Sequence, residues 1–146
     1  MSTRVIVPSV IRMDPSGSGR FHSSRGGGKR KHVGVDYICE PGGVVFSDVE
    51  GTVSRLGWAY SDDPQWRYIE ILTDGLFRHR FFYVEPLVAL HDHIRVGDVI
   101  GEAQDITLRY PNDKMTPHIH YEILDQNGRH VNPETYTNGS VASYTA

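Results

Sequence analysis

Cysteine is almost absent from this chain. Cys39 stands alone among 146 residues, which excludes an internal disulfide and leaves its thiol to core packing. Long apolar runs are absent too: no stretch approaches the roughly 20 residues of a membrane span, and "VIVPSVI" at 5–11 is too short and too broken by proline for a secretory h-region. The expectation is a soluble protein with no membrane insertion and no export signal. Strong charge of one sign is also missing, since the formal net charge is -3. That figure hides an asymmetry, because residues 1–36 carry seven Lys/Arg against two Asp while the remainder carries eight basic against sixteen acidic residues. The basic part, "SGSGRFHSSRGGGKRKH", lacks the interleaved aromatics that stack bases, so it reads as a solvated loop and excludes a nucleic-acid partner.

Helical periodicity is scarce, and what takes its place is the punctuation of an all-β domain. Fifteen Gly and eight Pro divide short runs rich in Val, Ile, Tyr and Phe. The expected strands are "RVIVPSVIR", "HVGVDYIC", "GGVVFSD", "GTVSRLGWAY", "WRYIEILT", "RHRFFYVEP", "DVIGEAQ" and "HIHYEILD", with turns at "EPGG", "SDDP" and "TDG". A compact antiparallel sandwich or barrel follows. The length suits one domain with one core. Residues 1–18 are expected as an N-terminal strand or extension, 19–136 as the domain, and 137–146 as a loose polar tail. The long loop "DITLRYPNDKMTP" is of the kind that borders functional sites.

Side chains two apart on a strand share a face. In "KHVGVDY" this places His32, Gly34 and Asp36 together and turns Val33, Val35 and Tyr37 inward. In "PHIHYEI" it places His118 and His120 together, opposite Ile119, Tyr121 and Ile123. Two imidazoles and a carboxylate can then converge. Zinc suits nitrogen and oxygen ligands at about 2.0–2.2 Å, and a catalytic site uses three of them plus water. Eight His make an accidental HxH easy to find, and "LHDHIRVGD" supplies a second one in His91 and His93. Those two sit by a polar turn without flanking β-pattern and read as a solvated loop.

The motifs "GRFHSSRGGGKRKHVGVD", "GGVVFSDVEGTVS", "VGDVIGEA", "PHIHYEI" and "NPETY" follow one another in the order of the lysostaphin/LytM-type zinc endopeptidases, which the chain resembles over roughly residues 19–136. The resemblance implies an antiparallel β-sheet groove closed by loops, and the peptide part of bacterial peptidoglycan as substrate. It further implies that His22, Asp36 and His120 bind Zn²⁺, that His118 is the catalytic base, and that His32 supports the ligands from outside the set.

Two departures from the family pattern bear on activity. Where many members carry a second catalytic His in a "YxH" segment, "FFYVEP" puts Glu85, which is expected to take the catalytic place. His79 lies six residues earlier on the same run and is not expected to substitute for it. The stretch before HxH also lacks the usual Gly-rich turn. Both features are similar to a vertebrate signalling branch of the family, so a non-catalytic zinc-containing binding or structural module is the alternative. The lone Cys39 argues against an origin in the vertebrate secretory route. Biotinyl and lipoyl carriers are set aside, since no lysine follows "GDVIGEA" until Lys114. Trp58, Trp66 and Tyr68 are assigned no role. A wall hydrolase of this size is expected as a bacteriophage protein, carried in the virion beside other virion or cell-envelope proteins or released at lysis.

Overall fold

The computed structural model describes residues 10–25, 28 and 30–134. Most of "RVIVPSVIR" and the tail 137–146 therefore lie outside the described residues. Two small ribbons come first, β1 (Met13–Asp14) with β2 (Gly17–Ser18) and β3 (Ser24–Arg25) with β4 (Arg30–Lys31). The main strands are β5 (Val35–Ile38), β6 (Val44–Phe46), β7 (Gly51–Tyr60), β8 (Asp63–Leu72), β9 (Arg78–Phe82) and β10 (Val84–Pro86). They continue with β11 (His93–Ile94), β12 (Val99–Ala103), β13 (His118–Leu124) and β14 (His130–Val131). The expected all-β class holds, and all pairings between these strands are antiparallel. No helix among the described residues is long and apolar enough to cross a membrane.

A seven-stranded sheet runs β11-β7-β8-β9-β13-β14, with β5 paired to β13, and a three-stranded sheet runs β10-β12-β6. The expected strand "RHRFFYVEP" is divided at Tyr83, and its two halves, β9 and β10, belong to different sheets. Tyr83 takes φ 69, a left-handed backbone that turns the chain between them. Strand β8 begins within "SDDP", the expected turn, because Asp63 pairs with Tyr60 across a two-residue hairpin. The expected loop 105–117 contains a short 3₁₀ turn at Ile106–Leu108, capped by the Asp105 side chain.

Alternation on β13 works as the sequence suggests. Ile119, Tyr121 and Ile123 enter the core with Val35, Tyr37, Ile69, Ile71 and Phe81, while His118, His120 and Glu122 take the other face. Burying such side chains contributes about 1.5–3 kcal/mol each, which holds the sheet that positions the polar face. Cys39 joins this core, and burial raises its pKa to about 11, so the thiol is an inert packing group. Alternation fails at Val33, expected inward but exposed, because the chain bends at Gly34 before β5 starts. Glycine is needed there: a Cβ would collide with the Tyr121 carbonyl and lie 2.9 Å from the His120 ring.

The segment from Val10 to Ser18, expected as an extension ahead of the domain, lies against it. Ile11 bridges Tyr37, and the Arg12 N–H donates to the Asp36 carbonyl at 2.8 Å.

Candidate metal centre

Antiparallel register puts Asp36 of β5 directly opposite His120 of β13. His32 arrives from the segment just before β5, so His32, Asp36 and His120 come together at one point, all with donor atoms within 4.8 Å of one another. Three short separations define the centre. His32 Nε2 lies 3.0 Å from His120 Nδ1 and 3.1 Å from Asp36 Oδ1, and His120 Nδ1 lies 3.0 Å from Asp36 Oδ1. A tetrahedral ion with bonds of about 2.0–2.1 Å spans a ligand–ligand edge of about 3.3 Å, close to this triangle.

The partners behind each ring decide which nitrogen faces the centre. His32 Nδ1 is 3.0 Å from the Arg20 carbonyl, an acceptor, so Nδ1 carries the proton and Nε2 presents a lone pair. His120 Nε2 is 2.9 Å from Glu122 Oε1, so it donates there and Nδ1 presents a lone pair. Asp36 Oδ2 accepts from Arg12 Nε at 3.2 Å and Nη2 at 3.0 Å, which leaves Oδ1 for the centre. Two imidazole lone pairs and one carboxylate oxygen thus converge on a single point, and the donor set fits zinc. Without a cation a proton would have to do the same work. Burial alone lowers the pKa of His120, but Asp36 and Glu122 outweigh it and raise it to about 9.

His118 stands beside this set, with Nε2 3.6 Å from Asp36 Oδ2. Its Nδ1 donates to the Thr116 carbonyl at 2.8 Å, leaving Nε2 as the basic atom. Burial lowers its pKa despite the pull of Asp36, so the ring is a neutral imidazole near pH 7. All four residues line a cleft of about 810 Å³, whose lining also includes Arg25, Arg30 and Lys31 and the rings of Tyr60, Tyr83 and Tyr110.

Two residues expected in the site lie elsewhere. His22, expected as a metal ligand, is exposed, takes φ 64 and stacks on Phe21 with ring centroids 3.9 Å apart. Its N–H donates to the His32 carbonyl at 2.8 Å, so the two residues pair across a ribbon and only His32 reaches Asp36. Glu85, expected as catalytic, lies on β10 with its side chain 55% exposed, 3.9 Å from Arg67 Nη1, and is not among the residues lining the cleft. The division of the strand at Tyr83 is what carries it away. His79 is buried on the core face with Nδ1 2.7 Å from the Tyr121 hydroxyl; an unbroken strand would put residues six apart on one face, and the division at Tyr83 is what separates His79 from Glu85.

Sequence reasoning passed over Glu122 and Arg12. The first extends the same i, i+2 series as His118 and His120, so strand parity could have found it. Arg12 carries no such signal, because its contact with Asp36 spans 24 residues. Glu122 also accepts from Arg80, which in turn holds Glu70, so a ladder of alternating charge crosses β13, β9 and β8.

Fold and site together define an all-β domain with a histidine–carboxylate centre on the floor of a groove. The chain belongs to peptidase family M23, whose model matches residues 30–133. It is 25% identical over 118 residues to leukocyte cell-derived chemotaxin-2 of Mus musculus, covering 77% of this chain and 71% of that protein. It is 30% identical over 128 residues to the L-Ala--D-Glu endopeptidase of Bacillus subtilis (strain 168), covering 84% of this chain and 38% of that protein. The chain therefore spans well under half of that relative. Among solved structures, the catalytic domain of the antimicrobial peptidase lysostaphin from Staphylococcus simulans shares the fold with a TM-score of 0.61 at 19% identity, covering 80% of this chain and 87% of that one.

Proposed function

We propose that the chain is a zinc-dependent endopeptidase acting on the peptide of bacterial peptidoglycan, with His32, Asp36 and His120 as metal ligands and His118 as general base. The observation that carries this reading is the pair of imidazole lone pairs turned toward each other at 3.0 Å beside a buried carboxylate, an arrangement that calls for a cation. The name of the Bacillus subtilis relative supports the substrate class, since a bond between L-Ala and D-Glu joins a D-amino acid as stem peptides of the wall do.

Bound zinc would supply polarisation of the scissile carbonyl and a water of lowered pKa. His118 Nε2 takes the proton of the attacking water and returns it to the leaving amine. Arg12 fixes the Asp36 carboxylate, and Glu122 fixes the ring of His120. The cations Arg25, Arg30 and Lys31 in the lining of the cleft favour a substrate that carries carboxylates.

A non-catalytic module is the second reading, favoured by the displacement of Glu85 from the cleft and by the similarity to chemotaxin-2. Zinc-loaded protein incubated with purified peptidoglycan separates the two by the appearance of new amino groups. Wild type is expected to release them, and His118→Ala to abolish release with zinc still bound. Silence of the wild type, in an assay where an active relative works, gives the second reading the field. Carriage on a bacteriophage particle, or release at lysis, is the proposed setting. Mass spectrometry of purified particles that finds no such chain removes the virion version.

A further inference from the structure

Tyr83 is placed in the cleft by a backbone it does not favour. Its φ of 69 is left-handed, an uncommon state for a residue with a large side chain and one that persists only where the surroundings impose it. Here they do. The Tyr83 N–H donates to the Arg67 carbonyl at 2.7 Å, and the Tyr83 carbonyl accepts from the Gln104 N–H at 2.8 Å. The Gln104 side chain accepts from the Arg67 N–H at 2.9 Å and donates to the Gln65 carbonyl at 2.6 Å, closing the frame. The ring then stands edge-on to His118, with centroids 5.9 Å apart and planes at 82°.

A chain of hydroxyls lies behind it. Tyr83 Oη is 3.0 Å from Tyr60 Oη, which is 3.0 Å from Tyr110 Oη. Arg109 sits at the far end, where its Nε donates to Tyr110 Oη at 3.2 Å and its guanidinium lies 3.7 Å from the centroid of the Tyr60 ring. Asp63 holds Arg109 in place, accepting from Nη1 at 3.0 Å.

A guanidinium can only donate, and its positive charge aligns the O–H dipoles beyond it to point away. In that polarity Tyr110 donates to Tyr60 and Tyr60 to Tyr83, and the Tyr83 proton is left for the cleft that its ring lines. We propose that the Tyr83 hydroxyl is a catalytic hydrogen-bond donor to the scissile carbonyl oxygen, oriented by Tyr60, Tyr110 and Arg109, and that it fills the role expected of Glu85.

This inference rests on the endopeptidase reading. As the water oxygen bonds to the carbonyl carbon, the π pair moves onto the carbonyl oxygen, and the Tyr83 O–H strengthens its bond to that oxygen without giving up the proton. On collapse the pair returns, the C–N bond breaks, and the amine takes the proton that His118 Nε2 removed from water. Burial raises the pKa of Tyr83 well above its ordinary value, which keeps the donor protonated throughout.

The test uses the full zinc-loaded chain with Tyr83→Phe, which keeps the ring and removes only the hydroxyl; the thermal midpoint of the variant is measured alongside to show that the fold is kept. On soluble peptidoglycan fragments kcat should fall by about 10²–10³-fold with KM little changed, the loss seen for one oxyanion donor. Tyr60→Phe, a change in a positioning residue, should lower kcat less and also leave KM unmoved. A second readout needs no turnover: calorimetric binding of a phosphinic diglycine pseudopeptide, whose tetrahedral anionic group mimics the oxyanion, should weaken in Tyr83→Phe. If wild type cleaves and Tyr83→Phe cleaves equally well, the Tyr83 assignment is overturned while the peptidase reading stands. If Glu85→Gln falls by this factor instead, the role returns to Glu85. If wild type is silent, the peptidase reading falls, and equal binding of the pseudopeptide by wild type and Tyr83→Phe overturns the Tyr83 assignment as well.

Discussion

Two aspartates of this domain are almost equally hidden from water, Asp36 at 4% exposure and Asp48 at 1%, yet their carboxyls are driven in opposite directions. Burial raises the pKa of both. At Asp36 the facing imidazoles of His120 and His32 outweigh burial and hold the group well below the usual carboxylate range. Asp48 has no such company. Both its oxygens accept from the single Tyr121 hydroxyl at 2.9 Å, and its pKa is raised to about 7. The contrast is built into neighbouring positions of one strand, since His120 serves Asp36 on one face of β13 and Tyr121 serves Asp48 on the other. Burial makes a carboxylate expensive, and the partners on each face decide whether it stays charged.

The same substitution at both places is the sharpest way to break this comparison. Asp36→Asn should have the largest effect, because it removes the one anionic donor that the described residues bring to the centre. Zinc affinity should fall well beyond the roughly 10–100-fold that loss of a ligand's outer partner costs, and hydrolysis should vanish with it. The Arg12 guanidinium would keep Asp14 and Ser16 but lose the charge of Asp36, lowering folding stability by about 1–3 kcal/mol. Metal analysis after dialysis and urea unfolding of the apo form check the two parts separately. Retention of stoichiometric zinc by the variant would show that Asp36 is not a ligand.

Much of this arrangement was legible in the chain. Period-two alternation identified the core face of β13 and the polar face that carries His118 and His120, and turn residues located most strand boundaries, because both depend on local chemistry. The same alternation put His32 on the face of Asp36, but family likeness named His22 as the ligand and gave His32 a supporting place; the structure groups His32, not His22, with Asp36 and His120. Glu85 and Tyr83 were illegible for a different reason. Residues 78–86 look like one strand, and only the pairing of β10 with β12 in a separate sheet forces the left-handed turn at Tyr83 that brings its ring in and sends Glu85 out. Arg12 was hidden by distance along the chain.

Asp48 gives the next largest effect, and its sign is opposite to that of an ordinary buried ion pair. Its folded pKa of about 7 lies above the unfolded value of 3.8, so the folded state binds the proton more tightly between those limits. Stability should therefore fall as pH rises from about 4 to about 7, by up to about 4 kcal/mol from this group, and level off above. Asp36 works the other way, contributing stability above its unfolded pKa that is lost only as pH falls through its depressed value. Asp48→Asn keeps an oxygen for the Tyr121 hydroxyl and removes the titration, so its urea midpoint should lose the downward slope between pH 4 and 7. An unchanged slope in the variant would assign the pH dependence to other groups.

The smallest effect belongs to Glu122, which touches the centre only through His120. In Glu122→Gln the side-chain oxygen can still accept from His120 Nε2–H, so the tautomer that turns Nδ1 toward Asp36 survives while the negative charge behind the ring is lost. Arg80 retains Glu70 at 2.7 Å, which limits the structural cost. A less basic imidazole holds a cation less firmly, and zinc affinity should drop toward the lower end of the roughly 10–100-fold range. Competition with a chromophoric chelator measures this directly. The comparison of the two aspartates sharpens through this result: if affinity stays at the wild-type level, the charge at Asp36 alone orients the centre, and the carboxylate two residues along β13 serves the ladder with Arg80 and Glu70 and its pair with His130.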